Sequence, residues 1–200
     1  MVKLPGAEKM SSRKGKIIEG DWLLDETKRK VKETMRTSGK WDKAEIETIS
    51  DDIAIAAVKY SFVRVSLGKD VIFDFEKAIS FDGDSGPYLQ YVYARCNSIL
   101  RDQEFPGIGK GGVVLDAYTK ELLSVISRYK NALLTSGLSY SPSTLSSYLF
   151  DLGQTFNTFY QNVRVLDSKD KNLLLNVVKA TAAVMKNGLN VLGIKVVEKM

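Results

Sequence analysis

Five apolar residues, Leu145, Leu149, Leu152, Phe156 and Phe159, recur at alternating spacings of four and three after Ser141-Pro142. At about 100° per residue this keeps one apolar stripe on one face over several turns, a pattern that a helix packed against a neighbour satisfies and a strand does not. Pro142 suits the first turn of such a helix, where its missing N–H costs no bond. The rest of the chain supplies neighbours in the same period. Ile46, Ile49, Ile53, Ala57 and Tyr60 line one face of a second helix, and Leu89, Val92, Cys96 and Ile99 one face of a third. Tyr118, Leu122, Val125, Ile126, Tyr129 and Leu133 mark a helix over about 113–135. Leu173, Val177, Val184 and Leu189 mark another over about 169–190, ended by Gly193. Asp21 is expected to cap a first helix running to about Thr37, with Asp25 and Glu26 early and the bases later, and Gly39 as its stop. A mainly α fold follows.

The breaks are as informative as the stripes. In 61–80, Val63, Val65, Val71 and Phe73 flank Leu67-Gly68-Lys69-Asp70, which predicts a short hairpin or an extended bend. Asp74 is placed to cap a short turn. Phe81-Asp82-Gly83-Asp84-Ser85-Gly86-Pro87 ends one region and opens the helix that runs to about Arg101. The glycine-rich stretch 105–112 lacks the Gly-Lys-Ser/Thr ending of a phosphate cradle and is assigned as a connector.

Composition narrows the chemistry. The chain has 200 residues, room for one or two small domains, and is 44% hydrophobic, enough to bury a core. A single cysteine, Cys96, excludes a disulfide framework and suits a reducing cytoplasm. No stretch reads as a membrane span or signal peptide. The absence of histidine removes the commonest general base and any histidine-containing metal site or triad. Charge is uneven: residues 1–40 hold eleven Lys/Arg against six Asp/Glu, whereas 41–200 hold eighteen of each. A basic N-terminal fifth suits either a solvated lysine-rich helix face or contact with an anion such as ATP or an RNA backbone.

One motif points to a family. Lys9-Met10-Ser11-Ser12-Arg13-Lys14-Gly15 resembles the Lys-Met-Ser-Lys-Ser loop of class I aminoacyl-tRNA synthetases, with Ser12 where many members have the second lysine. Further along, Ser80 to Arg95, Tyr148-Leu149-Phe150-Asp151-Leu152, Phe156-Asn157-Thr158-Phe159-Tyr160, Val163-Arg164-Val165-Leu166 and Gly188-Leu189-Asn190-Val191-Leu192-Gly193-Ile194 are similar to the helical anticodon-binding region of arginyl-tRNA synthetases. The resemblance runs through the whole chain. It implies a loop and the C-terminal part of a catalytic region over 1–80, with helices that contact the tRNA stem, and a helical DALR-type anticodon-binding bundle over 81–200. It also implies ATP as substrate with magnesium, arginine tRNA as partner, and a cytoplasmic setting. The His-x-Gly-His motif of such enzymes is lacking here. This 200-residue chain is therefore expected to be inactive by itself and to need an N-terminal catalytic portion. A free-standing tRNA-binding protein without catalysis is the alternative.

The same resemblance assigns residues. Lys9 and Arg13 are the catalytic candidates, and Lys9, Ser11, Ser12 and Lys14 the ATP-contacting ones, since cations and backbone N–H groups beside a triphosphate stabilise the leaving pyrophosphate. Tyr88, Tyr91 and Arg95 fall on one helical stripe about a quarter turn from the core stripe. On residues alone, these tyrosines either flank the core with wet hydroxyls or stack on unpaired bases; the resemblance selects the second. Tyr160 falls off the register of Phe156 and Phe159 and joins them as a base-contacting candidate, with Arg164 for phosphate and Met200 at the chain end. Tyr118 and Tyr129 are assigned to core stripes.

Overall fold

The computed structural model describes residues 2–5, 19–39, 41–104 and 115–200. Eight helices dominate them: α1 (Gly20–Ser38), α2 (Lys43–Val63), α3 (Phe75–Ala78), α4 (Gly86–Leu100), α5 (Ala117–Ser127), α6 (Tyr129–Leu138), α7 (Pro142–Asn162) and α8 (Lys171–Val191). Two short strands, β1 (Val2–Lys3) and β2 (Val71–Ile72), pair in parallel.

Local chemistry sets the helix ends. Asp42 caps α2 in a reciprocal capping box with Glu45. Ser85 caps α4 by accepting from Tyr88 N at 3.1 Å, and Pro87 occupies its first turn. Asp116 caps α5 through Thr119 N at 2.9 Å. Gly39 ends α1 with φ +64°, a backbone conformation that costs glycine nothing.

Several expectations need correction. α1 starts at Gly20, so Asp21 lies inside its first turn and favours the helix dipole without capping it. The helix expected over 113–135 is two, α5 and α6, broken at Arg128. Tyr118 is exposed on α5 and belongs to no core stripe. No hairpin forms in 61–80. α2 continues to Val63, and β2 instead pairs with the chain's start, Val2 opposite Val71 and Lys3 opposite Ile72. On α8 the buried stripe is centred on Leu174, Val178, Met185 and Leu189, with Leu173 and Val184 half-buried at its edges.

The main core joins α4, α5, α7 and α8, with Ala56 and Tyr60 of α2 entering from one side. Leu145, Leu149, Leu152, Phe156 and Phe159 are all fully buried in it, as their register requires. Two satellite clusters seat α1 on α2: Leu23 with Ala57, Val58 and Phe73, and Val31 and Met35 with Ile46 and Ile53. Two glycines allow close helix crossings. A Cβ at Gly86 would lie 2.3 Å from the Ala56 carbonyl oxygen, and one at Gly188 2.5 Å from Leu149 Cδ2.

Polar bonds tie the α1–α2 pair to the bundle. Tyr60 donates its buried hydroxyl to Asp84 at 2.6 Å, and burial raises that phenol's pKa far above its ordinary value. The segment after α8 runs back across α2 and α4. Gln90 Nε2 donates to the Lys195 carbonyl at 2.7 Å, Lys195 pairs with Asp52 at 2.7 Å, and Lys199 pairs with Glu45. Ile194 and Val197 are buried beneath it. This strap delivers Met200 to the α1–α2 cluster.

Candidate nucleic-acid interface

The end of α1, the turn into α2, one face of α4, α7 and the C-terminal strap enclose a cleft of about 420 Å³. Met35, Trp41 and Met200 give it apolar surface; Tyr88, Tyr91, Arg95, Asn157 and Gln161 give it aromatic and polar groups. Apart from Trp41 in the turn and Met200 on the strap, these residues come from helices positioned by the core stripes, so the cleft is a by-product of how three helices and the strap pack.

α4 presents three of the expected residues at 88, 91 and 95. Arg95 lies over the ring of Tyr91, with its guanidinium carbon 4.4 Å from the centroid. It also lies over the ring of Tyr160, at 4.6 Å. Tyr160 comes from α7, is 43% exposed, and stacks on Phe156 with centroids 6.3 Å apart. Residues far apart in sequence thus form one aromatic–guanidinium cluster. A guanidinium between such rings is held by electrostatics and keeps its N–H edge for an acceptor.

Tyr88 departs from the expectation that its bulk lies off the core. It is only 6% exposed and belongs to the main core, edge-on to Phe150 with centroids 5.7 Å apart. Burial raises its pKa, against the Asn157 bond and the Arg95 charge, which lower it. It therefore stays a neutral phenol, and its contribution to the cleft is a hydroxyl rather than a stacking face. Met200 lines the cleft. Arg164 is exposed beyond the end of α7 and is not among the cleft-lining residues. Lys9, Ser11, Ser12, Arg13 and Lys14 lie outside the described residues, as does the 105–112 stretch.

Asn157, Trp41 and Gln161 are site residues that periodicity did not select. Asn157 Oδ1 accepts from Arg95 Nη1 at 2.9 Å, and its Nδ2 donates to the Tyr88 hydroxyl at 2.9 Å. The available signal was an amide set between two core aromatics, Phe156 and Phe159.

Within the basic N-terminal fifth, the described residues show how the charges of α1 are paired. On α1, Lys28 pairs with Asp51 at 2.6 Å, Arg29 with Glu26 at 2.8 Å and Lys32 with Glu47 at 2.5 Å. Lys30 sits over Phe75. Acids of α1 and α2 thus neutralise most of this helix's charge. A larger depression of about 660 Å³ is lined by Asp70, Asp74, Glu76, Asp82 and Asp84 with Arg64 and Lys77. Its acidic rim disfavours phosphate. Among the described residues, no cluster of acids and cysteine could hold a metal ion, and no helix is long and apolar enough to cross a membrane.

The helical bundle that holds this cluster matches a known class of domain. Residues 89–200 match the family described as DALR anticodon binding domain, and the chain belongs to that family. Over its full length it is 34% identical to the arginine–tRNA ligase of Ignicoccus hospitalis, covering 32% of that protein. Over 96% of its length it is 37% identical to the arginine–tRNA ligase of Clostridium beijerinckii, covering 35% of it. The fold superposes on the arginyl-tRNA synthetase of Thermus thermophilus with a TM-score of 0.84 and 28% identity, covering all of this chain and 34% of that one. The chain thus spans about a third of the length of the relatives it matches.

Proposed function

We propose that this chain is the C-terminal part of an arginine–tRNA ligase. In this reading, residues 81–200 bind the anticodon loop of arginine tRNA, and residues 1–80 bring the ATP-closing loop and the helices that brace the tRNA. The observation that carries the reading is the Tyr91–Arg95–Tyr160 cluster beside the cleft, within the segment matched to the anticodon-binding family. Unpaired bases of a tRNA loop offer π-faces and acceptor edges, and the cluster offers aromatic rings and a planar cation. Tyr88 and Met200 flank this surface, and Arg164 stands apart for a phosphate of the same loop.

In the whole ligase, Lys9 and Arg13 stabilise the charge that builds on pyrophosphate as arginine attacks ATP. Ser11, Ser12 and Lys14 hold the triphosphate, with magnesium as counter-ion. The enzyme works in the cytoplasm and needs an N-terminal catalytic portion for arginine and adenosine. This chain alone activates no arginine. Titrating the chain with an anticodon stem-loop of arginine tRNA, beside an unrelated stem-loop, tests the binding role; equal affinity for both would refute it. Arginine-dependent ATP–pyrophosphate exchange by the purified chain would refute the proposed division of labour.

A further inference from the structure

Asn157 stands about one turn before Tyr160 on α7 and bridges to α4 with its amide. An arginine only donates hydrogen bonds, so the amide oxygen must be the atom at Arg95 Nη1, 2.9 Å away. The amide nitrogen then faces Tyr88 and donates to its hydroxyl oxygen at 2.9 Å. Arg95, which can only donate, thus fixes the orientation of this side chain, and the Tyr88 hydroxyl, able to accept as well as donate, takes the amide's N–H.

That orientation has consequences at the cleft. Because the Tyr88 oxygen accepts from Asn157, its own hydrogen remains available to donate. Arg95 is covered by the rings of Tyr91 and Tyr160, and one of its N–H groups is committed to Asn157. What Arg95 still offers is its remaining N–H edge. Without Asn157, the guanidinium would keep its charge but lose the bond that sets its rotation over the rings.

We propose that Asn157 is a positioning residue for RNA recognition, resting on the RNA-binding reading above. It holds the Arg95 fork against Tyr91 and Tyr160 and turns Tyr88 into a donor. The cleft then selects an RNA group that accepts hydrogen bonds: a carbonyl or ring nitrogen on a base edge, or a phosphate oxygen. The amide touches no RNA in this scheme; it acts through its two neighbours.

The test is a double-mutant cycle on the full chain, titrating a labelled anticodon stem-loop of arginine tRNA at two salt concentrations. Asn157→Ala is expected to weaken binding about tenfold, as loss of a charge-assisted bond does. The salt slope should stay as in wild type, because the Arg95 charge remains. In an Arg95→Ala background, the same substitution should cost less than about twofold, since the group it positions is gone. A merely structural asparagine gives equal losses in both backgrounds. Asn157→Gln serves if the alanine variant does not fold: it keeps the amide but displaces it by one methylene, and should weaken binding severalfold at wild-type melting temperature. A salt slope lowered by about one in Arg95→Ala identifies phosphate as the acceptor. An unchanged slope, with affinity lost on abasic substitution in the loop, identifies a base edge. Normal binding by the Asn157 variants while Arg95→Ala binds weakly, or fully additive losses, overturns the proposal and leaves RNA binding standing. No binding by wild type overturns both.

Discussion

Replacing Tyr91 by alanine separates a binding surface from a core. Tyr91 is half-buried; its ring carries Arg95 on one face and lines the cleft. Truncation removes a partly exposed cation–π contact worth about 1 kcal/mol but leaves Leu89, Val92 and Cys96, the fully buried apolar residues of the same helix, in place. For a chain of this size such a loss lowers the melting temperature by about 2–4 °C. Binding should suffer more. One lost stacking partner costs about 1–3 kcal/mol, roughly a factor of 5–150 in affinity. The surface is not driven by bulk charge, since residues 41–200 are electroneutral, so high salt should leave most of that difference intact. Tyr88→Ala is the contrast: it opens a cavity in the main core and should cost about 3–5 kcal/mol in stability. The assays are thermal unfolding of each variant and anisotropy titration with the anticodon stem-loop. If Tyr91→Ala binds like wild type while its melting temperature falls as far as that of Tyr88→Ala, Tyr91 is a core residue and the assignment of this face to RNA is wrong.

Gly188→Ala drives a Cβ to 2.5 Å from Leu149 Cδ2 and should destabilise the chain by about 1–3 kcal/mol in denaturant titration, with RNA affinity unchanged under native conditions. The Lys199 bond, then the Asp42 backbone bond, lowers the Glu45 pKa below its ordinary 4.5. A depressed carboxylate stabilises above its unfolded value and loses that contribution as pH falls through the folded one, so the strap should loosen only below about pH 4.5. Amide exchange in 194–200 that rises between pH 7 and 6 would contradict this. In the complete ligase proposed above, Lys9→Ala should slow adenylate formation more than it weakens arginine binding, because the proposed role sets its charge where negative charge develops. Pre-steady-state activation at wild-type rate would move that role to another cation.

The cleft and the bundle are joined through the C-terminal strap. Lys195 on Asp52, Lys199 on Glu45 and Gln90 on the Lys195 carbonyl hold residues 194–200 across α2 and α4. The exposed pairs each contribute little, so the buried Ile194 and Val197 are the main anchors. Met200 reaches the cleft only because this segment is docked. The strap also joins the α1–α2 pair, which contributes Met35 and Trp41 to the cleft, to the helices that contribute Tyr91 and Arg95.

The amino-acid sequence by itself determined the helices, their buried faces and most of their ends, because a stripe at spacings of three and four has one way to be buried. Leu145 to Phe159 needed no tertiary information, and neither did the Pro87 first turn of α4 or the Gly39 stop. It also placed Tyr91, Arg95 and Tyr160 off the core stripes. Other features depended on partners distant in the chain. β2 pairs with β1 rather than folding into a hairpin, because the open strand edge lay at the chain's start. The α1 charges are neutralised by α2, which periodicity cannot register. Tyr88 shares a stripe with Tyr91 yet is buried, since Phe150 and Asn157 of α7 close over it. Only the crossing of α4 and α7 decided that Arg95 would lie over two tyrosine rings with its edge held by Asn157. Helical period fixes where a side chain points around its own axis, whereas its hydrogen-bond partner is set by which helix arrives opposite.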